Sequence, residues 1–231
     1  MDIESFMDKV NSSEEKKPEY GNEDYPKNNF DYYNKLSIKD KTTKVIRCPK
    51  NRLSYKVIWD ESKKHRNIFI LFNPSIANSD ILDGTLKNCA KICYALNQKP
   101  ENKEKECGGM IIYNTFTVRH PKIEEAIKNI DIEYEKSNNP IFKLSENYPH
   151  NISYLIVAWG NDARKKLSRD YYESLKEELR KIHKHNKIYA FHLNKSGTKQ
   201  PAHPSPRCNR LINDFIKSPN LEELNSQNFD L

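Results

Sequence analysis

Four short apolar runs constrain the fold of this chain more than any other feature. They are "NIFILFN" (67–73), "GGMIIYN" (108–114), "SYLIVAWG" (153–160) and "KIYAFHL" (187–193). None alternates cleanly between apolar and polar residues, which is typical of strands that are covered on both faces. Stretches with helical character lie at about 83–96, 122–130, 162–184 and 206–217. The alternation of strands and helices predicts an α/β fold, a three-layer sandwich around a central, mostly parallel four-stranded sheet.

The N-terminal segment differs in composition from the rest of the chain. Residues 1–40 are rich in Glu, Lys, Asn, Asp and Pro, and such a segment cannot bury enough apolar area to order itself alone. We expect a mobile tail or a loosely docked arm here, and a single domain over residues 41–231. Within that domain, "TTKVIRCPKNRLSYKVIWD" (42–60) has two β-rich runs around a turn-like "CPKN" and predicts a hairpin.

The charge of the chain is unevenly distributed. The formal net charge is +7, but residues 1–28 contain eight acids and four lysines, so the remaining residues carry +11. Together with thirteen tyrosines and nine phenylalanines, this basic balance fits a nucleic-acid partner, because phosphates attract lysine and arginine and bases stack on aromatic rings. A solvated, lysine-rich surface encoded by an AT-rich genome explains the charge equally well.

Hydropathy and cysteine usage exclude several classes of protein. No apolar stretch approaches the roughly 20 residues of a membrane helix, and the polar N-terminus lacks the apolar core of a secretion signal, so we expect a cytoplasmic protein. The five cysteines form no CxxC pair, which argues against a disulfide framework and a zinc ribbon. Cys89 and Cys93 would share a helix face, where small core residues are commoner than metal ligands. We expect no metal.

Polar residues cluster where the predicted strands end. Asn73, Pro74 and Ser75 end the first strand, Asn114 and Thr115 the second, and Trp159, Gly160 and Asn161 the third, while residues 194–207 follow the fourth. Ligands of open α/β sheets bind outside the carboxyl ends of the strands. Each motif also has a plainer reading, since Asn-Pro forms turns, a Trp-Gly pair can simply pack and start a helix, and a lone histidine is more often structural. Four such motifs in order favour a site.

The residue types at this edge indicate a particular chemistry. Asn73 and Asn114 each carry an amide with one acceptor and two donors, which suits the edge of a heterocyclic base. His203 can stabilise an oxygen on which negative charge develops. No nucleophile elbow and no phosphate-binding glycine motif is present in the sequence. The pattern predicts a site that binds and polarises its substrate, with water as the attacking group.

The order of these strand-end motifs along the chain resembles that of a known superfamily. "LFNPS" (71–75), "GGMIIYNTFTVR" (108–119), "YLIVAWGNDARKK" (154–166) and "HPSPR" (203–207) resemble the blocks of the uracil-DNA glycosylase superfamily, closest to its single-strand-selective and mismatch-specific branches. The chain also resembles a bacterial and phage domain family of unassigned function, through "LDGT" (82–85), "NTF" (114–116) and "NKSGTKQPAHP" (194–204). The resemblance covers roughly residues 65–215.

The resemblance implies a uracil-DNA-glycosylase-like fold and a monofunctional DNA N-glycosylase that acts as a monomer without a cofactor. Asn73 matches the residue that positions the hydrolytic water, and His203 matches the histidine that stabilises the departing base as an anion. Asn114 matches the strand-end asparagine that reads the base edge. The aromatic residue that stacks on the base is not identified by the motifs, and the candidates are Phe72, Tyr94, Tyr113 and Phe116. The iron-sulfur branches need four spaced cysteines, which this sequence lacks.

The resemblance also implies how DNA is held. Arg207 lies where a side chain enters the DNA stack in place of the flipped nucleotide, and the stiff segment 204–206 supports it. The other predicted DNA-binding residues are Lys195, Lys199, Ser205 and Arg210. The two lysines could instead form a Schiff base and nick the strand, but flexible loop lysines more often contact phosphates.

Ser75 predicts the choice of base. The most uracil-restricted members place a bulky tyrosine at this position, where it crowds the C5 side of a pyrimidine. A small serine leaves room for a C5 substituent, so we expect a hydroxymethylated or glucosylated pyrimidine to be preferred over plain uracil. The resemblance to phage and bacterial proteins indicates modified phage DNA as the target and base excision as an antiviral defence.

Two other functions remain open from the sequence. The chain could be a catalytically inactive module of the same fold that senses a modified base or a nucleotide. It could also hydrolyse a nucleotide or a small N-glycoside unconnected with DNA, in which case its activity would depend little on salt.

Overall fold

The computed structural model describes residues 1–13, 15–20, 51–74, 83–119, 123–194, 199–226 and 229. The strands in this part of the chain are β1 (Glu15–Tyr20), β2 (Arg52–Ile58), β3 (His65–Leu71), β4 (Cys107–Asn114), β5 (Ile152–Ala158), β6 (Ile188–Ala190) and β7 (Glu222–Glu223). The α-helices are α1 (Ile3–Asn11), α2 (Gly84–Asn97), α3 (Ile123–Lys128), α4 (Ile132–Asn138), α5 (Asp162–Lys166), α6 (Arg169–His183) and α7 (Asn209–Lys217). Short 3-10 turns lie at Pro100–Lys105, Pro140–Lys143 and Pro206–Cys208.

The strands form one mixed sheet in the order β1-β2-β4-β3-β5-β6-β7. Strands β4, β3, β5 and β6 run parallel to one another, and they correspond to the four apolar runs. Strands β1 and β2 extend the sheet antiparallel at one side, and β7 does so at the other. The α/β prediction is confirmed, but the predicted four-stranded sheet is only the centre of a larger mixed one.

Helices cover both faces of the sheet. In β3, Phe69 and Leu71 point into one core, which α1, α2 and α7 close, while Ile68 and Ile70 point into the other, which α3, α5 and α6 close. All four side chains are almost fully buried. Burial on both faces explains why the run "NIFILFN" shows no alternation between apolar and polar residues. The predicted layers of helix, sheet and helix are therefore present.

Local capping signals explain the helix boundaries near the carboxyl edge of the sheet. Asp83 caps α2, because its Oδ1 accepts a hydrogen bond from Leu86 N at 2.9 Å. The single helix predicted over 162–184 is instead two, α5 and α6. Ser168 Oγ accepts from Tyr171 N at 3.3 Å and starts the second helix.

The second run of the predicted hairpin over residues 42–60 forms strand β2. This strand pairs with β4 along one edge and with β1 along the other. Residues 42–50, the first run of the predicted hairpin, lie outside the described part of the chain, so the hairpin stays a prediction.

The expectation of a mobile or loosely docked arm does not hold for α1, which packs on the core. Ile3, Phe6 and Val10 follow the spacing of an amphipathic helix, and Phe6 and Val10 are 2% and 0% exposed. The Phe6 ring lies 5.3 Å from that of Trp59 and 5.2 Å from that of Tyr94. Tyr94, one of the candidate stacking aromatics, is thus a contact of α1 in the core. Residues 21–40 lie outside the described part.

None of the helices in the described part of the chain is both long enough and apolar enough to cross a membrane.

Replacing Phe6 by alanine tests the docking of α1. Because the ring is buried between Trp59 and Tyr94, Phe6→Ala should lower the free energy of unfolding by about 3–5 kcal/mol. The control Asp8→Ala alters an exposed position of the same helix and should change it by less than about 0.5 kcal/mol. Urea unfolding measures both, and equal midpoints for Phe6→Ala and the parent would contradict the docking.

Candidate active site

The carboxyl ends of three parallel strands lie level with one another. Leu71 at the end of β3 pairs with Asn114 on β4 and with Ala158 on β5. Neighbouring strands lie about 4.8 Å apart, so Asn114 and Ala158 are separated by about 10 Å across β3. Asn73 and Gly160 each lie two residues beyond these ends. The predicted meeting of polar strand ends at one edge is therefore present.

The segment after β6 returns to this edge and lies against the end of β5. Gly160 N donates to Pro201 O at 2.9 Å. Gly160 has φ +75°, a conformation that strains other residues, and a Cβ added there would lie 3.1 Å from Cβ of His203. Gly160 thus allows His203 to approach β5 closely. Its neighbour Trp159 is buried in the core and donates through Nε1 to Gln200 Oε1 at 3.2 Å, so it packs as the plainer reading expected.

The stiff segment after His203 is docked on the first turns of α2. Asn88, which is 3% exposed, donates through Nδ2 to Pro204 O at 3.1 Å and to Ser205 O at 3.3 Å. A Cβ at Gly84 would lie 2.5 Å from Cγ of Pro206, so only glycine fits. Sequence reasoning missed both residues. The only signal available was an asparagine among the small and apolar residues of a predicted helix.

His203 is a neutral donor at physiological pH. Its side chain keeps some accessible surface, yet burial lowers its pKa to about 4, while the carboxylates of Asp83 and Asp162 act in the opposite direction. A neutral imidazole carries one N–H donor and one acceptor nitrogen. The ring can therefore donate to a group that becomes negative without first having to lose a proton.

Asn114 presents an unusual buried amide. The residue is 1% exposed, and neither Oδ1 nor Nδ2 has a hydrogen-bond partner among the residues that the structure describes. An unpaired buried polar group costs about 1–3 kcal/mol. This amide lies at the edge where a ligand would bind, and a ligand with matching donors and acceptors would remove that cost. Asn73, the other predicted amide, is partly exposed.

A buried carboxylate holds the segment that follows β4. Glu135 is 0% exposed, and its Oε1 accepts from Thr117 N at 2.9 Å and from Thr117 Oγ1 at 2.7 Å. Its Oε2 accepts from Asn139 Nδ2 at 3.0 Å, and the same amide donates to Asn114 O at 3.0 Å. Burial raises the pKa of Glu135 to about 7. Sequence reasoning missed Glu135, because "DIEYEKSN" looks like any solvated acidic helix.

The predicted aromatic pair joins the ends of β3 and β4. Phe72 and Phe116 are 3% and 0% exposed, and their ring centroids lie 5.5 Å apart in an edge-to-face arrangement. Thr115 Oγ1 donates to Phe72 O, which ties the two segments together. The rings are packed on each other, and stacking of either on a base stays a prediction. Tyr113, a further candidate, packs partly buried against the same core.

The predicted DNA-binding residues that the structure describes differ in their exposure. Arg207 and Arg210 are exposed and Ser205 is partly buried. Lys199 is exposed and has φ +44°, a left-handed conformation that is uncommon for residues other than glycine. Ser75 and Lys195 lie outside the described residues, so their predicted roles stay predictions.

Three cysteines, Cys89, Cys93 and Cys107, are core residues. Cys89 and Cys93 are both 0% exposed, as the interpretation of small core residues expected, and burial raises the pKa of each thiol well above its ordinary value. Asn67 Nδ2 donates to Cys93 Sγ at 3.3 Å and to Cys107 Sγ at 3.2 Å. No group of three His, Cys, Asp or Glu side chains in the described part of the chain could hold a metal ion.

The fold defines a class: an α/β protein with a mixed sheet between two layers of helices, and its candidate ligand site lies outside the carboxyl ends of the parallel strands. Residues 52–205 match the model of a family described as "Protein of unknown function (DUF1643)", and the chain belongs to this family. Comparison with the curated proteins and with the solved structures gave no match. The matched segment runs from β2 to Ser205, so it contains every strand end of the site as well as His203.

The raised pKa of Glu135 predicts a pH-dependent stability. Its folded pKa of about 7 lies above the ordinary value of 4.5, so the native state holds the proton more tightly than the unfolded state. The stabilisation is fully present below pH 4.5 and is lost as pH rises through 7, by up to about 3 kcal/mol. Urea unfolding of the parent and of Glu135→Gln at a series of pH values measures this term.

The quantity that reports on Glu135 is the difference in the free energy of unfolding between the parent and Glu135→Gln at each pH. His203 contributes with the opposite sign, because its pKa of about 4 lies below the ordinary 6.5 and its stabilisation is lost as pH falls through this range. Subtracting the Glu135→Gln curve from that of the parent cancels the His203 contribution. Parallel curves for the two proteins would contradict a raised pKa at Glu135.

Proposed function

We propose that this chain is a DNA N-glycosylase that hydrolyses the N-glycosidic bond of a flipped-out, 5-substituted pyrimidine and leaves an abasic site. Its substrate is a hydroxymethylated or glucosylated base in DNA, such as that of a phage, and its role is antiviral defence. It acts as a monomer without a cofactor, on a uracil-DNA-glycosylase-like fold. The observation that carries the proposal is the joint presence, at one sheet edge, of a neutral His203 and the buried amide of Asn114, which has no partner within the described part of the chain.

Asn114 supports recognition of a base. Its amide has no partner among the described residues, and a pyrimidine edge offers both donors and acceptors for it. A site with buried polar groups rejects ligands that leave those groups unpaired, which gives large discrimination. Ser75, on which the preference for a C5 substituent rests, lies outside the described residues, so that preference comes from the sequence alone.

His203 supports the bond-breaking step. Cleavage of the glycosidic bond places negative charge on the base and positive charge on the sugar. A neutral imidazole N–H in a desolvated setting stabilises the departing base without requiring a proton at the outset. The amide of Asn73 is not usefully basic, so it orients the attacking water and does not deprotonate it.

The docked segment after His203 supports base flipping. Extruding a nucleotide costs a few kcal/mol of stacking and pairing energy, so the loop that displaces it must not yield. Asn88 and Gly84 hold this segment against α2, and the exposed Arg207 follows directly. A rigid support with an exposed cation at its end suits a side chain that fills the gap in the stack.

Incubation with defined DNAs tests the proposal. Single-stranded and duplex oligonucleotides carry uracil, 5-hydroxymethyl or glucosylated pyrimidines, and abasic sites are detected by alkali cleavage while mass spectrometry identifies the released base. We expect release of the 5-substituted bases, with a rate that falls steeply as salt is added. Release of uracil alone would contradict the proposed specificity, and release that is insensitive to salt would favour a small N-glycoside as the substrate.

His203→Ala is the control for chemistry in the same assay. Loss of the donor to the leaving base should lower kcat by about 100-fold or more and leave DNA affinity intact. His192→Ala, which removes a partly exposed histidine of the same segment, should retain the parent rate. DNA binding without base release by the parent protein would instead indicate the sensor module.

Arg207→Ala separates flipping from chemistry. If Arg207 replaces the flipped nucleotide, its loss should reduce base release from duplex DNA by about 10- to 100-fold, and much less from single strands, where no pairing is broken. Arg210→Ala, which removes a predicted phosphate contact, should weaken binding to both forms alike. An equal loss on both substrates for Arg207→Ala would place Arg207 among the phosphate contacts.

A further inference from the structure

The predicted site lacks a group that can take a proton from water. Asn73 carries an amide, which has no useful basicity, and His203 is committed to the departing base. General-base catalysis requires a side chain with an available acceptor within reach of the water. A carboxylate near His203 would complete the site.

Asp83 is such a carboxylate, and one of its two oxygens is held by the start of α2. It precedes α2, and its Oδ1 accepts from Leu86 N at 2.9 Å as the helix cap. Its Oδ2 has no hydrogen-bond donor among the residues that the structure describes, and the side chain is only partly exposed. One oxygen therefore fixes the orientation of the carboxylate and leaves the other available.

The docking of α2 brings Asp83 to the histidine. Gly84, the next residue, is in contact with Pro206, and Asn88 one turn further on binds Pro204 O. The negative charge of Asp83 is also the largest influence that counteracts the effect of burial on the pKa of His203. Backbone contacts and electrostatics thus agree that Asp83 lies near His203.

The other carboxylate that acts on His203 is less suitable. Asp162 begins α5, its side chain is 52% exposed, and it pairs with Lys166 at 3.5 Å. Solvent and the neighbouring cation screen the charge of this carboxylate, so its effect on a water beside His203 is small. Of the two described carboxylates that act on the pKa of His203, Asp83 is therefore the better candidate.

We propose that Asp83 is the general base of this site, an inference that rests on the proposed glycosylase function. The oxygen of water attacks C1′ of the sugar, and the C1′–N bond breaks with its electron pair leaving on the base, which His203 stabilises through its N–H. Asp83 accepts one proton of the attacking water. The products are a sugar with a hydroxyl at C1′ and a base that recovers the proton from Asp83 through solvent.

A carboxylate is a weak base, and a weak base is enough for this step. Water that attacks a sugar with oxocarbenium-like charge is far more acidic than bulk water, and a weak base then suffices. The assignment also explains why an asparagine can stand at position 73, since orientation and deprotonation of the water are divided between two residues.

Asp83→Asn tests the inference without removing the helix cap, because Asn and Asp cap helices equally well. Base release should fall by about 100-fold or more, while the melting temperature and DNA affinity stay those of the parent. Azide carries no proton to remove, so added azide should restore base release in Asp83→Asn and yield a glycosyl azide. The same azide should have little effect on the parent protein.

A matched variant completes the experiment. Asp162→Asn should keep the parent rate within about threefold, as a screened charge does. A parent rate in Asp83→Asn or a lack of azide rescue would overturn the assignment of Asp83 and leave the glycosylase function standing. Absence of base release by the parent on every substrate would overturn the proposed function and this inference together.

Discussion

The central strand β3 is buried on both faces and hydrogen-bonded along both edges, and the rest of the structure depends on this position. Ile68 and Ile70 fill one core while Phe69 and Leu71 fill the other. Full burial of each such side chain stabilises the fold by about 1.5–3 kcal/mol, so β3 ties both helical layers to one sheet. The in-register parallel pairing with β4 and β5 then makes three strands end level, which opens their following loops at a single edge.

Burial has a different consequence for each polar group at or behind that edge. It lowers the pKa of His203, raises that of Glu135, and leaves the amide of Asn114 without a partner among the described residues. Each of these effects opposes folding, since a group that loses water must be stabilised by something else. A concentration of such groups in one place is typical of a functional site, where the missing partner is a ligand.

The elements predicted correctly are those whose own residues carry the signal. The four parallel strands appear as apolar runs because both of their faces are covered, and α2 and α7 show their helical spacing directly. The expectation of a loosely docked arm did not hold for α1 because average composition hid the spacing of Phe6 and Val10, whose partner Trp59 lies far along the chain. Strand β1 carries "EKKPEY", with a proline that favours an edge position and few apolar residues, so only the free edge of β2 makes it a strand.

The sequence by itself determined the α/β class and the strand ends at which Asn73 and Asn114 lie, because strand burial and loop polarity are local properties of each segment. Only the tertiary structure decided how these residues are supported. Asn88 reaches Pro204 across 116 positions of the chain, and Glu135 reaches Thr117 from a separate helix. Contacts of this kind leave no local pattern, because each residue looks ordinary until the fold brings its partner to it.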